Sequence, residues 1–120
     1  SKEDIGTFNR LGILLRNQGK WKEALVEYQK ALKVAPDDEN LYYNMGMACA
    51  EGKEFREAQV YMLKALAINP DLPRTATNIA YNIALVFGQN GDKKRAADCL
   101  NIALECDPEF EPARRALERM

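Results

Sequence analysis

Histidine is absent from this sequence of 120 residues. Its absence excludes a Ser–His or Cys–His nucleophile, a zinc ion held by imidazole, and any acid–base pair built on an imidazole. A large excess of one charge is also lacking, since 17 Lys and Arg residues accompany 18 Asp and Glu residues for a net charge of -1. Because nucleic acid selects a strongly basic surface, we expect no nucleic-acid partner.

Long apolar runs are missing as well. No stretch approaches the roughly 18 consecutive apolar residues that cross a bilayer, and no basic segment followed by an apolar one marks a signal peptide. We therefore expect no direct membrane insertion and a cytoplasmic location, or a periplasmic one if a signal sequence has been removed. The balance of 47% apolar and 29% charged residues is typical of a globular domain.

The three cysteines, Cys49, Cys99 and Cys106, show no paired spacing. An odd number argues against a disulfide framework. Cys99 and Cys106 would lie about 10 Å apart along a helix, too far for a bridge. We expect all three to be small buried apolar residues in a reducing compartment.

An internal repeat is the main feature that the sequence does contain. Residues 8–37 align with residues 42–71 at an offset of 34, and residues 80–109 form a third copy at a further offset of 38. Within each copy apolar residues recur at spacings of three and four, and a turn containing glycine divides each copy in two. No segment alternates with period two, so the sequence predicts an all-α fold of helix pairs.

Small residues occupy equivalent places in the copies. They are Gly12, Gly46 and Ala84 on the first helices, and Ala24, Ala58 and Ala96 on the second helices. Small side chains at facing positions let two antiparallel helices approach closely. We therefore interpret these residues as packing positions.

The repeat period and the equivalent positions of these small residues in the three copies resemble the tetratricopeptide repeat family. Repeat 5–38 carries Leu11-Gly12, Ala24 and Pro36. The equivalent places hold Met45-Gly46, Ala58 and Pro70 in repeat 39–72, and Ile83-Ala84, Ala96 and Pro108 in repeat 77–110, which is the most divergent copy. The resemblance implies a right-handed superhelical solenoid of antiparallel helix pairs, with about seven helices in a single domain over residues 1–120.

Two departures from the repeat inform this architecture. Four extra residues precede the third copy, and they predict a first helix lengthened by one turn from about residue 72, with Pro73 in its first turn. Residues 111–120 combine an apolar stripe with charged residues, which predicts a polar capping helix. A truncated fourth repeat would begin in the same way.

The resemblance also implies a concave groove, lined by the first helix of each pair, in which family members bind extended or short helical peptides. Asn44 and Asn82 occupy equivalent places, and an amide side chain can pair with a peptide backbone through both its donors and its acceptor. The peptide-binding residues that we expect are Asn9, Arg10, Ile13, Arg16, Tyr43, Asn44, Met47, Asn78, Tyr81, Asn82, Leu85 and Gln89. Glu51 is a further groove position. The alternative is that these side chains are merely solvated.

A chaperone-tail receptor is not expected. In the family, a carboxylate clamp for such tails requires lysine, asparagine or arginine at five groove places. These places are occupied here by Asn9, Ile13, Asn44, Asn78 and Asn82, and only Asn44 matches.

We expect a non-catalytic protein-interaction module, part of a larger bacterial regulatory or assembly protein, that binds a peptide segment of a partner. The alternative is a scaffold that self-associates through its repeat ends, for example as a homodimer. Glu23, Glu27 and Glu57 fall on outer helix faces without a counterpart, and no glycine-rich phosphate loop is present, so we expect neither a cofactor nor an enzyme.

Overall fold

The computed structural model describes the backbone of residues 2–120 and the side chains of residues 5–120. In that part of the chain all regular structure is helical, which confirms the predicted all-α fold. The helices are α1 (Lys2–Asn17), α2 (Trp21–Val34), α3 (Glu39–Glu51), α4 (Phe55–Ile68), α5 (Thr77–Gln89), α6 (Lys93–Cys106) and α7 (Glu111–Glu118), with a 3-10 helix at Leu72–Thr75. None of these helices is both long and apolar enough to span a membrane.

The chain divides into two compact units, Ser1–Ile68 and Asn69–Met120, and each is described by itself. In the first unit α1 pairs with α2, α3 pairs with α4, and α2 packs on α3. In the second unit α5 pairs with α6, and α7 packs on α6. The single domain over 1–120 and its superhelical handedness stay predictions.

The predicted close approach of paired helices is confirmed in the first unit. A Cβ atom added at Gly12 would fall against the ring of Tyr28, and one added at Gly46 would lie 3.0 Å from Cε of Met62. Tyr28 and Met62 are both fully buried. Each pair therefore places a large side chain of its second helix over a glycine of its first.

The turn within each helix pair uses a left-handed residue at the same repeat position. The φ angles are 78° at Gly19, 60° at Lys53 and 77° at Gly91. In the second turn the left-handed residue is thus a lysine, although Gly52 precedes it. Gly52 has a different role, because the indole ring of Trp21 occupies the space that its Cβ would need.

The predicted lengthening of the third copy's first helix is wrong. Helix α5 begins at Thr77 and has 13 residues, as α3 does. The inserted residues instead form the 3-10 helix, and Ala76 is extended between the two. Burial of Leu72 and Pro73 against the second unit, with a 2.6 Å hydrogen bond from Thr75 Oγ1 to the Leu72 carbonyl, stabilises this turn over another exposed helical turn.

Helix α7 has the two faces expected of a capping helix. Ala113 is fully buried and Leu117 is half-buried, while Arg114, Arg115 and Glu118 are exposed. The apolar side therefore packs on α6, and charged side chains cover the other side.

Candidate functional site

The predicted groove residues of the first unit lie on α1 and α3, and two of them form a direct amide pair. Nδ2 of Asn44 donates a hydrogen bond of 3.0 Å to Oδ1 of Asn9. Both side chains belong to half-buried residues. The pair joins the first helices of neighbouring repeats, and it occupies one of the two N–H donors of Asn44.

A second contact between α1 and α3 is an ion pair. Nε and Nη2 of Arg16 donate to Oε1 of Glu51 at 2.9 and 2.7 Å. The Arg16 side chain is 17% exposed and that of Glu51 is 37% exposed. The predicted groove cation Arg16 is therefore already neutralised by a residue of the next repeat.

The Tyr28 hydroxyl lies beside this ion pair. Burial raises the pKa of Tyr28, and the nearby Arg16 guanidinium opposes that rise. For Arg16, burial has the opposite effect and lowers the pKa. Hydrogen bonding to Glu51 and the proximity of Tyr28 outweigh this effect of burial, so the net pKa of Arg16 is raised. The hydroxyl makes no hydrogen bond of good geometry, whereas Glu51 fixes the guanidinium through two hydrogen bonds.

The remaining predicted residues of the first unit supply exposed surface beside these contacts. Ile13 is 40% exposed, and Tyr43 and Met47 are half-buried. Arg10 is exposed and its guanidinium lies over Gly6, where an added Cβ would be 3.2 Å from Nη1. This surface thus combines apolar area, one amide pair and one exposed cation.

The predicted residues of the second unit all lie on α5. Asn78 and Gln89 are exposed, Leu85 is 42% exposed, and Tyr81 and Asn82 are half-buried. The ring of Tyr81 meets that of Phe110 edge-on, with centroids 5.3 Å apart and an interplanar angle of 80°. Such aromatic pairs are favourable and directional, so Phe110 orients the Tyr81 ring.

Phe110 was not among the predicted residues. It lies in the link before α7, as the last residue of the third repeat, and the groove was inferred from the first helices alone. Its only sequence signal is an aromatic residue shortly after Pro108. The structure places every predicted groove residue on α1, α3 or α5, and the binding role of each stays a prediction.

The cysteines differ in environment. Cys49 and Cys99 are buried, and burial raises the pKa of each thiol to about 11. Cys106 is exposed in the last turn of α6, so the prediction that all three are buried is wrong for this residue. Among residues 5–120 no group of Cys, Asp and Glu side chains is arranged to hold a metal ion.

Comparisons with known proteins match three segments of the chain to repeat models. The family model described as tetratricopeptide repeat matches residues 39–72, and another model of that description matches residues 77–110. A model described as TPR repeat matches residues 12–51. The second and third matches coincide with the repeats inferred from sequence.

Two curated relatives match a large part of the chain. Photosystem I assembly protein Ycf3 of Acaryochloris marina is 33% identical over 87 residues, which cover 68% of this chain and 52% of that protein. Protein O-mannosyl-transferase Tmtc3 of Drosophila melanogaster is 27% identical over 103 residues, covering 78% of this chain and 11% of that protein. The chain thus spans about half the length of Ycf3 and about a tenth of the length of Tmtc3.

A solved structure described as the first TPR of Spaghetti (RPAP3) bound to the HSP90 peptide SRMEEVD has the same fold. Its TM-score is 0.84 at 22% identity, and the match covers 99% of this chain and 91% of that one. At this identity the likeness establishes the fold and leaves the ligand of the present chain open.

Proposed function

The chain belongs to the tetratricopeptide repeat family, and on that premise we propose that it holds an extended peptide segment of a partner protein against its first helices. Domains of this family typically mediate protein–protein interactions. The proposed contact residues are those of α1 and α3 in the first unit.

The Asn9–Asn44 pair is the observation that carries the proposal. With one N–H of Asn44 donated to Asn9, the pair retains further amide donors and the Asn44 acceptor for a peptide backbone. The contact between the two amides also fixes their orientation, which reduces the entropy lost when a ligand binds. Ile13, which is 40% exposed nearby on α1, provides apolar contact area.

Catalysis is not part of the proposed function. The relative Tmtc3 is a transferase by name, but this chain spans only 11% of it. The buried thiols have raised pKa values, which disfavours the thiolate needed for nucleophilic attack at neutral pH.

The experiment is a selection of random peptides by display on the protein, followed by titration of one synthetic peptide that it yields. Asn44→Ala is expected to weaken the binding of that peptide by about fivefold, since one hydrogen bond contributes roughly 1 kcal/mol. Asn101→Ala, which removes an exposed amide of α6, is the matched control and should leave the affinity unchanged.

Circular dichroism of each variant verifies that its helical content is retained. Equal affinities of Asn44→Ala and Asn101→Ala for the peptide would refute the proposed binding surface.

A further inference from the structure

Two exposed arginines lie one helical turn apart at the end of the second unit. Arg115 belongs to α7, and Arg119 is the C-cap of that helix, with helical φ and ψ angles. Nε of Arg119 donates a hydrogen bond of 3.3 Å to the carbonyl of Arg115, which draws its guanidinium back toward the preceding turn. Among the residues that the structure describes, neither arginine forms an ion pair.

Helix α7 follows the repeat register of a first helix. Nη2 of Arg114 donates to the carbonyl of Pro108 at 2.8 Å, just as the hydroxyl of Tyr42 in α3 donates to the carbonyl of Pro36 at 3.2 Å. Donor and acceptor in the two bonds are equivalent, since each lies 72 positions from its counterpart, the combined repeat offset. Helix α7 therefore stands to α6 as α3 stands to α2.

This register puts both arginines at groove places. At the offset of 34, Arg115 corresponds to Tyr81 of α5, and Arg119 corresponds to Leu85. Tyr81 is half-buried and Leu85 is 42% exposed, although α6 and α7 both follow them in the same unit. A further helix pair packed behind α7 would likewise leave Arg115 and Arg119 accessible.

The α5 side of this surface is uncharged. Helix α5 contains no acidic or basic residue between Thr77 and Gln89. Phe110, directly before α7, meets the ring of Tyr81 with centroids 5.3 Å apart, so the start of α7 lies next to α5. Ala116 occupies the place of Asn44, so the amide pair of the first unit has no counterpart here. The surface combines an aromatic ring with two positive charges.

The spacing of the two arginines matches that of an extended acidic peptide. A guanidinium binds a carboxylate through strong, often bidentate hydrogen bonds. Four helical residues separate the arginines by about 6 Å along the axis, and alternate residues of an extended chain lie about 6.7 Å apart on one side. Two acidic residues with one residue between them would therefore each meet one arginine.

From these observations we propose that Arg115 and Arg119 bind an extended acidic segment of a partner protein, in which two carboxylates are separated by one residue. Tyr81 provides apolar contact area beside them. Charge complementarity of this kind selects against neutral and basic segments. The surface lies in the second unit and is independent of the proposed peptide contact at Asn9 and Asn44 in the first.

The probe is the synthetic peptide acetyl-Gly-Ser-Glu-Ser-Glu-Ser-Gly-amide, titrated into the isotope-labelled full chain at low ionic strength. It is expected to shift the side-chain Nε–Hε signals of Arg115 and Arg119 saturably, with a dissociation constant below about 5 mM. The same peptide with glutamine for both glutamates is expected to bind at least about tenfold more weakly, and a peptide with adjacent glutamates about threefold more weakly. Absence of a saturable shift, or equal binding of either altered peptide, would overturn the proposal.

Matched variants locate the contact. Arg115→Gln and Arg119→Gln are each expected to weaken the binding of the first peptide about threefold, and the double variant about tenfold, because each removes one carboxylate contact. Arg56→Gln, which removes an exposed arginine of α4, should bind as the unaltered chain does. Circular dichroism verifies that each variant keeps its helical content. Unchanged binding by the double variant would overturn the proposal.

Two further measurements test other occupants and other surfaces. Sedimentation of the chain without peptide is expected to show a monomer over a wide concentration range. Self-association that the Arg115→Gln, Arg119→Gln double variant abolishes would assign the arginines to acidic residues of a second copy and overturn the partner segment. Asn44→Ala is expected to bind the acidic peptide normally, and loss of binding in that variant would move the contact to the first unit and overturn the proposal.

Discussion

At the residue scale, the same side chain has different properties in different places. Cys49 and Cys99 lie in the buried stripes of α3 and α6, while Cys106 is exposed at the end of α6. Burial, the main cause, and neighbouring carboxylates raise the pKa of Cys49 to about 11, and burial does the same for Cys99. A raised pKa means that the neutral thiol predominates well above neutral pH, so thiolate chemistry is suppressed.

We predict that iodoacetamide at about pH 8 modifies the folded protein rapidly at Cys106 alone. With a pKa of about 11, roughly one buried thiol in a thousand is ionised at that pH, against about one in four for an ordinary cysteine. Intact-mass spectrometry should show one fast addition, and all three cysteines should react in urea. A fast addition that persists in Cys106→Ser would contradict the prediction.

At the scale of the element, the turns between paired helices follow one backbone pattern with unequal residues. Gly19 and Gly91 adopt the left-handed conformation without a Cβ penalty, whereas Lys53 adopts it with φ of 60° and bears that penalty. The glycine of this turn is Gly52, one position before the left-handed residue. A glycine is required at position 52 because the Trp21 ring occupies the space that a Cβ there would need.

We therefore predict that Lys53→Gly increases the free energy of unfolding by about 0.5–1 kcal/mol. Relief of the Cβ clash exceeds the extra entropy that glycine gains in the unfolded chain. The measurement is urea unfolding, in which the midpoint should rise without a change in slope.

Gly19→Lys and Gly91→Lys provide the opposite change at equivalent positions. Each is expected to lower the free energy of unfolding by about 1 kcal/mol. A destabilised Lys53→Gly would show that the lysine side chain makes a contact worth more than the backbone strain.

At the scale of the whole molecule, α7 shows the clearest separation between a buried apolar face and an exposed charged face. Helix α7 buries Ala113 and half-buries Leu117 on α6, and it exposes Arg114, Arg115 and Glu118. A helix with these two faces covers apolar surface of α6 while its outer side stays polar.

We predict that deletion of residues 111–120 destabilises the second unit by about 2 kcal/mol, the approximate contribution of the apolar area that α7 covers. Far-ultraviolet circular dichroism should show unfolding at lower urea concentration. The single tryptophan, Trp21, lies in the first unit, and its fluorescence should report a smaller shift. Glu118→Ala, which alters an exposed residue of α7, is the control, and an unchanged dichroism midpoint after the deletion would refute a stabilising role for α7.

Local patterns predicted most of the elements correctly. The spacing of apolar residues gave the helix pairs, and the boundaries 39–72 and 77–110 coincide with the family matches. The insertion before α5 was the exception, because helical periodicity does not register the burial of Leu72 and Pro73 or the extended Ala76.

The sequence by itself determined the helix pairs, the repeat offsets and the face of each helix that carries small residues, since these follow from the spacing of residue types along the chain. Only the tertiary structure decided that Asn44 pairs with Asn9, that Glu51 neutralises Arg16, and that Leu14 is open to solvent while its equivalent Ala48 is buried. Such outcomes depend on which neighbouring helix lies against a face, and residues some 35 positions apart in the chain contribute to them jointly.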